Sequence, residues 1–245
     1  MPVHPRSIPF LLASLLVPLA GAAEPGPIVT ERPSFSASTS TVPLGTVQIE
    51  AGYQFTDAGA SVEEHTAPFG LVRVPLREAT ELQLGWGGVS HERGGGNARF
   101  GALDPTVGVK QALTGLLPGV DVALIGAVSM PVGADRLSTG TVEASGSAWW
   151  SLHGDLPLFG GVVLASEDGE LRSSTSLGVS IPVREDVGAF VEWFGSRRDG
   201  LGEHAVDAGL SWVTANDLQL DVYVGAGLDE QASDFFVGFG VGHRF

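Results

Sequence analysis

From Thr46 to its end the chain alternates apolar and polar positions with a period of two, not 3.6. Val47, Ile49, Ala51, Tyr53 and Phe55 stand on one side of the first run, with Gln48, Glu50, Gly52, Gln54 and Thr56 on the other. Thr80, Leu82, Leu84 and Trp86 repeat the pattern, as do Leu218, Leu220, Val222, Val224, Ala226 and Leu228. The last run sets Phe235, Val237, Phe239, Val241, His243 and Phe245 against Phe236, Gly238, Gly240, Gly242 and Arg244. Twelve such segments can be drawn, roughly at 46–56, 65–75, 79–89, 104–113, 119–130, 143–152, 159–165, 172–182, 187–195, 204–213, 218–228 and 235–245. In the second, the face is ambiguous because Arg73 shares parity with Phe69 and Leu71.

Most of these runs are about ten residues long, beyond the usual five or six of globular strands and suited to crossing a bilayer at a tilt. The connections also alternate. Asp57–Glu64, Ser90–Leu103, Pro131–Val142, Ser166–Leu171, Ser196–Glu203 and Asp229–Asp234 are the longer set. Leu76–Glu78, Thr114–Pro118, His153–Leu158, Val183–Asp186 and Thr214–Asp217 are shorter on average. Such asymmetry is expected when the two ends of a barrel face different compartments. The predicted fold is all-β: an antiparallel up-and-down transmembrane β-barrel of about twelve strands over residues 44–245.

Composition sharpens the choice between a membrane barrel and a soluble one. The charged fraction is 17%, against about 25% for soluble domains. The non-apolar face is mostly Gly, Ser, Gln and single acids, and Lys110 is the only lysine in the chain. A solvent-facing strand surface would carry many charges, whereas a lumen tolerates small and mildly polar groups. Aromatic residues near strand ends (Tyr53, Phe55, Trp86, Trp150, Trp193, Trp212, Phe235, Phe245) suit interfacial girdles. A net charge of −15 argues against a nucleic-acid partner, and the absence of cysteine removes disulfide and thiolate chemistry.

The first 23 residues read as an export signal: His4 and Arg6, an apolar stretch from Ile8 to Leu19, then Ala20-Gly21-Ala22-Ala23 for cleavage. Residues 24–43 form an irregular, Ser/Thr-rich leader with Pro25, Pro27, Pro33 and Pro43, a candidate to thread into the lumen as a plug. Gly94-Gly95-Gly96-Asn97 marks the tip of the longest outer connection.

Several fragments resemble one family. They are Thr30-Glu31-Arg32-Pro33-Ser34-Phe35, Gln48-Ile49-Glu50-Ala51-Gly52-Tyr53, Arg73-Val74-Pro75-Leu76-Arg77-Glu78-Ala79-Thr80-Glu81-Leu82 and Met130-Pro131-Val132-Gly133. Ala189-Phe190-Val191-Glu192-Trp193-Phe194-Gly195, Leu218-Gln219-Leu220-Asp221 and Gly240-Val241-Gly242-His243-Arg244-Phe245 complete the set. Together, in this order, they resemble the outer-membrane barrel family labelled as transporters or as meta-pathway phenol-degradation proteins. The resemblance implies a twelve-stranded barrel with a transport role, and it supplies no substrate.

The alternation points Glu50, Glu81, Asp121, Glu192, Asp207 and Asp221 into the lumen with Lys110, Arg244 and Arg73. Acids lining a narrow pore favour cations, so a weak cation preference is expected. The competing use of these charges is to brace opposite walls through Arg–carboxylate pairs. Phe190, Phe194, Ile125 and Tyr223 share the lumen face and could form an apolar patch for an aromatic solute or simply fill a narrow barrel. Phe235, Val237, Phe239, Val241 and Phe245 resemble the C-terminal strand by which the barrel-assembly machinery recognises such proteins.

No catalytic site, cofactor or metal site is expected. The histidines lie on separate segments, no G-x-S-x-G elbow occurs, and Gly238, Gly240 and Gly242 sit inside a strand with no helix after them. The sequence predicts an outer-membrane channel or transporter for small molecules, hydrophobic or aromatic ones included. Its partners would be outer-membrane lipid, the assembly machinery and the solute. The alternatives are a non-conducting structural or adhesive barrel and an outer-membrane hydrolase.

Overall fold

The computed structural model describes residues 25–94, 97–135 and 137–245, so the export signal expected at 1–23 and the tip glycines 95 and 96 lie outside the described residues. The strands are β1 (Gln48–Asp57), β2 (Glu63–Arg77), β3 (Thr80–Trp86), β4 (Val89–Gly94), β5 (Asn97–Ala102), β6 (Pro105–Leu117) and β7 (Val120–Ser129). They continue with β8 (Glu143–Leu152), β9 (Leu158–Glu167), β10 (Glu170–Arg184), β11 (Val187–Arg198), β12 (Leu201–Ala215), β13 (Leu218–Gly227) and β14 (Phe235–Arg244).

Each strand is antiparallel to its neighbours, and β1 pairs with both β2 and β14, which closes the sheet. Closure leaves the ring of strands from β1 to β14 without a free edge of backbone donors and acceptors, the condition for a sheet in hydrocarbon, and β5, in an extension of that ring, pairs with β4 alone. The fourteen segments make twelve wall strands, because β2 pairs with β3 along 70–77 and with β4 along 63–66. β3 and β4 are thus two halves of one strand, and β5 and β6 are halves of the next. The first break falls at Gly87-Gly88. Gly88 has φ +91°, and a Cβ there would strike the Pro68 carbonyl, so glycine is required.

The side-chain alternation sorts by face as the sequence indicates. Phe239 is 59% exposed on the outside while Glu192, in the wall facing inward, is 0% exposed. Leu84, Val109, Leu124, Val162, Leu177, Leu210 and Val222 share the exterior, a surface suited to lipid and not to water. The ambiguous β2 resolves with Arg73 inward: it pairs with Gln83, which is also buried, while Val72 pairs with the exposed Leu84.

Three connections differ from expectation. Ser90–Leu103 is not an open loop, since β4 and β5 form a hairpin through it. Ser166–Leu171 and Ser196–Glu203 shrink to tight turns at 168–169 and 199–200. In all three the sheet continues where the apolar face has ended, so periodicity gives no signal. Charged cross-strand partners occupy these extensions: Arg99 with Glu92, and Arg172 with Glu167 and Glu203. β6 likewise runs on to Leu117 through a register irregularity after Leu113.

Candidate functional site

The leader lies inside the barrel. It starts at the end that holds the C-terminus, where Arg244 donates to the Gly26 carbonyl (2.8 Å) and the Ile28 N–H donates to the Asn216 carbonyl (2.8 Å). It rises to Pro33-Ser34-Phe35, turns and descends beside β3, where the Thr41 hydroxyl donates to the Glu78 carbonyl at 2.9 Å. The loop closes on itself through Glu31, which accepts from the N–H (2.9 Å) and hydroxyl (3.0 Å) of Ser38. Proline and serine keep this segment out of regular structure, so its backbone donors need other partners. Wall carboxylates supply them. Glu50 accepts from the Glu31 N–H at 2.9 Å, Glu81 from the Val42 N–H at 2.7 Å, and Glu192 from the Phe35 N–H at 2.8 Å.

Arg73 joins these groups. Its guanidinium lies 2.9 Å from Glu31, 3.3 Å from Glu50 and 2.8 Å from Glu81. It also donates to the carbonyl of Val29 on the rising limb (2.9 Å) and of Ser40 on the descending limb (2.8 Å). The planar guanidinium fork serves several acceptors at once in a way a lysine ammonium does not. Lys110 adds a second cation, 2.5 Å from Glu31 and 3.0 Å from the Ser38 hydroxyl. Arg73, Lys110, Glu50 and Glu81 are all buried, which is tolerable only because each is paired and hydrogen-bonded.

Higher in the lumen, Arg32 of the leader binds Asp221 through two nitrogens (2.9 and 3.2 Å) and lies over the rings of Phe69 (4.8 Å) and Tyr223 (5.7 Å). Phe35 stacks on Phe194 with centroids 4.7 Å apart. The Ser36 hydroxyl bonds Glu192 and lies 2.6 Å from that of Ser176.

The lumen glycines make room for this segment. A Cβ at Gly52 or Gly240 would collide with the Arg32 guanidinium, and one at Gly242 with the Thr30 side chain. Gly240 and Gly242 of β14, with Gly52 of β1, are therefore a groove for the leader, while Gly238 makes room for the Tyr223 ring.

The expected lumen residues separate into groups. Glu50, Arg73, Glu81 and Lys110 form one cluster, on the neighbouring strands β1, β2, β3 and β6, so Arg73 does not brace opposite walls. The leader reaches the far wall instead, at Asp221 and Glu192. Glu192 and Asp207 are cross-strand partners. Two residues lie outside this constriction. Asp121 sits at the rim, 2.8 Å from the exposed His153, and Arg244 binds Asp217 at 2.7 Å beside the turn before β13. Both are at strand ends, where parity no longer guarantees depth in the lumen. Phe194 and Tyr223 lie on one side of the leader tip, whereas Phe190 packs edge-on against Phe159 on the other, so they do not make one patch. Phe235, Val237, Phe239, Val241 and Phe245 all face outward and are exposed.

Sequence reading by parity passes over the leader's own contributors, Glu31, Arg32, Phe35 and Ser36, and the inward rings of Phe69, Trp149 and Phe236. The available signal was the pair Glu31-Arg32, the only charged residues between Pro25 and Pro43, matched to Gly240 and Gly242 on β14.

The leader divides the lumen into two chambers. The outer one, about 460 Å³, is lined by Arg32, Phe35, Phe194, Asp207, Tyr223 and Phe236 among others. The inner one, about 490 Å³, lies toward the end that holds the C-terminus and is lined by Ser38, Thr39, Ser151, Phe159 and Phe190 among others. Among the described residues no group of three or more His, Asp and Glu side chains is placed to hold a metal ion.

Residues 30–245 match the model of the family described as "Putative MetA-pathway of phenol degradation". No curated protein sequence matches the chain. Among solved structures, the COG4313 outer membrane channel from Pseudomonas putida F1 is similar, with a TM-score of 0.64 at 14% identity over 84% of this chain and 98% of that one. The KdgM porin, solved in complex with disordered oligogalacturonate, has a TM-score of 0.57 at 9% identity over 81% and 99%. The NanC porin has 0.53 at 10% identity over 80% and 98%. At these identities the likeness concerns the fold, an outer-membrane type of barrel.

Proposed function

We propose, from the premise that the chain belongs to this family of outer-membrane barrels, that it resides in the outer membrane as a channel for small solutes, with its N-terminal leader as a built-in plug. The single observation carrying this reading is the polar lumen split by the leader into two chambers that open toward opposite ends. A barrel serving only as scaffold has no need of a hollow on each side of a separable segment. The plug is held largely by ion pairs and hydrogen bonds, which can exchange for water, with apolar packing confined to Ile28, Phe35 and Val42. No reaction is assigned to it. Export of the precursor with cleavage near residue 23 belongs to the same reading, as does recognition of the Phe235–Phe245 strand by the assembly machinery.

Lumen acids (Glu31, Glu50, Glu81, Glu192, Asp207, Asp221) outnumber lumen bases (Arg32, Arg73, Lys110), which supports a weak preference for cations. The test is planar-bilayer recording of the refolded protein with and without residues 25–43. The expected result is a small conductance in the full chain, a several-fold larger one after deletion, and cation selectivity in both. A folded deletion variant that stays silent would instead indicate a non-conducting barrel, and anion selectivity would overturn the charge argument.

A further inference from the structure

The outer chamber holds one charge that the leader leaves unused. Among the ionised side chains on its wall, Arg32 is bound by Asp221, Glu31 by Arg73 and Lys110, and Arg172 and Glu203 by each other. Asp207 is the exception. It is only 4% exposed, and its Oδ1 has no hydrogen-bond partner among the described residues. Its cross-strand neighbour Glu192 does not help, being another acid whose oxygens are taken by Phe35 and Ser36 of the leader. Burying a carboxylate without a counter-charge is costly, and the group is relieved either by a proton or by a cation brought from outside, so a cation that fits the chamber finds a ready counter-ion.

The surroundings say what kind of cation. On the other side Asp207 pairs with Gly225, and the Phe236 ring lies where a Cβ of that glycine would be. Phe236 is 6.2 Å from Phe194 and 6.2 Å from Tyr223, and Phe35 stacks on Phe194. Aromatic faces beside a carboxylate attract alkylated or aromatic ammonium groups through charge and ring quadrupole together. A hydrated inorganic ion gains little from such rings. The chamber, about 460 Å³, falls within the range of small-molecule sites, about 300–1,000 Å³.

We infer that the outer chamber is a binding site for small organic cations carrying an aromatic or alkyl body, with Asp207 as counter-ion and Phe194, Tyr223 and Phe236 as the cage. The inference rests on the channel reading only in taking these cations as permeating solutes; the site itself can be measured without current.

The probe is benzyltrimethylammonium, titrated calorimetrically into the full refolded chain in detergent, with benzoate and benzyl alcohol as comparisons. The cation should bind at least about tenfold more tightly than either comparison, and Asp207→Asn should erase that margin. Phe236→Leu, which keeps the charge and removes the ring, should weaken the cation several-fold while leaving the weak comparisons unchanged. Equal binding of benzoate, or an unaltered Asp207→Asn variant that still migrates as a folded barrel, would overturn the site. Recordings on the same protein separate the two claims. Current that the cation blocks in the wild type and not in Asp207→Asn supports both. Current without calorimetric binding of the cation defeats the organic-cation site and leaves the channel standing. Calorimetric binding without any current keeps the site and defeats the channel.

Discussion

Glu31 and Lys110 meet in the lumen at 2.5 Å, joining the leader to the only lysine of the chain. Because Lys110 is wholly buried beneath the leader, its amine reports whether the leader is seated. Glu31→Gln removes the charge that faces both Lys110 and Arg73, and breaking buried pairs of this kind typically costs about 3–5 kcal/mol. The variant should open more often in bilayer recordings. Lys110 should react faster with a small amine-directed acylating reagent, read by peptide mass spectrometry. An unchanged Lys110 reaction rate would show that the leader stays in place without this pair.

Arg73 faces three carboxylates, so its loss should damage the wall as well as the plug. Arg73→Ala leaves Glu50 and Glu81 buried without their cation, and the temperature at which the folded barrel loses its compact gel mobility should fall markedly. Arg73→Lys restores charge but not the fork that reaches both Val29 and Ser40, so it should recover part of that loss. Full recovery with lysine would mean that charge alone matters.

Gly240 offers a cleaner way to unseat the leader. A leucine there fills the space of the Arg32 guanidinium and breaks its pair with Asp221, while leaving the pairs of Arg73 with Glu50 and Glu81 intact. Gly240→Leu should raise conductance and Lys110 labelling, with gel mobility on heating little changed. If neither rises, Arg32 has another place to go and the groove on β14 is not what holds it.

Asp104, between β5 and β6, sets a pH dependence outside the lumen. Partial burial pushes its carboxyl up from the ordinary 3.8, but the N–H groups of Gly133 and Thr139 and the hydroxyls of Ser138 and Thr139 outweigh it and hold the group lower. A depressed pKa in the folded state means that the stabilisation is present above the unfolded value and is lost as pH falls through the folded one. The connection between β7 and β8 should therefore loosen only below about pH 4, measured by acid proteolysis of its peptides. Asp104→Asn should loosen it at neutral pH and flatten the dependence.

The strands were legible because lipid imposes one rule on every wall position: each outward residue must be apolar, and Ile49, Leu84, Leu124, Val191 and Val222 obey it. The extensions β4, β5 and the far ends of β9 to β12 were not, because outside the lipid band Glu92, Arg99, Arg172 and Glu203 hold the sheet by pairing across strands. Lumen acids could be assigned by parity, but their partners could not. Arg32 and Asp221 are 189 positions apart, and nothing local in the chain announces that a proline-broken segment reaches the far wall.

The seat of the leader also bears on assembly. Thr30 is held by Gln219, and Arg32 by Asp221 in a groove that Gly240 and Gly242 leave open, so part of its cradle is made of the two strands synthesised last, and the rest of β1, β2, β3, β6 and β11. The leader cannot make its full set of contacts until the final hairpin is in place. Complete seating therefore draws on the first strands and the last together, and a barrel lacking its closing hairpin would hold the leader by one side only.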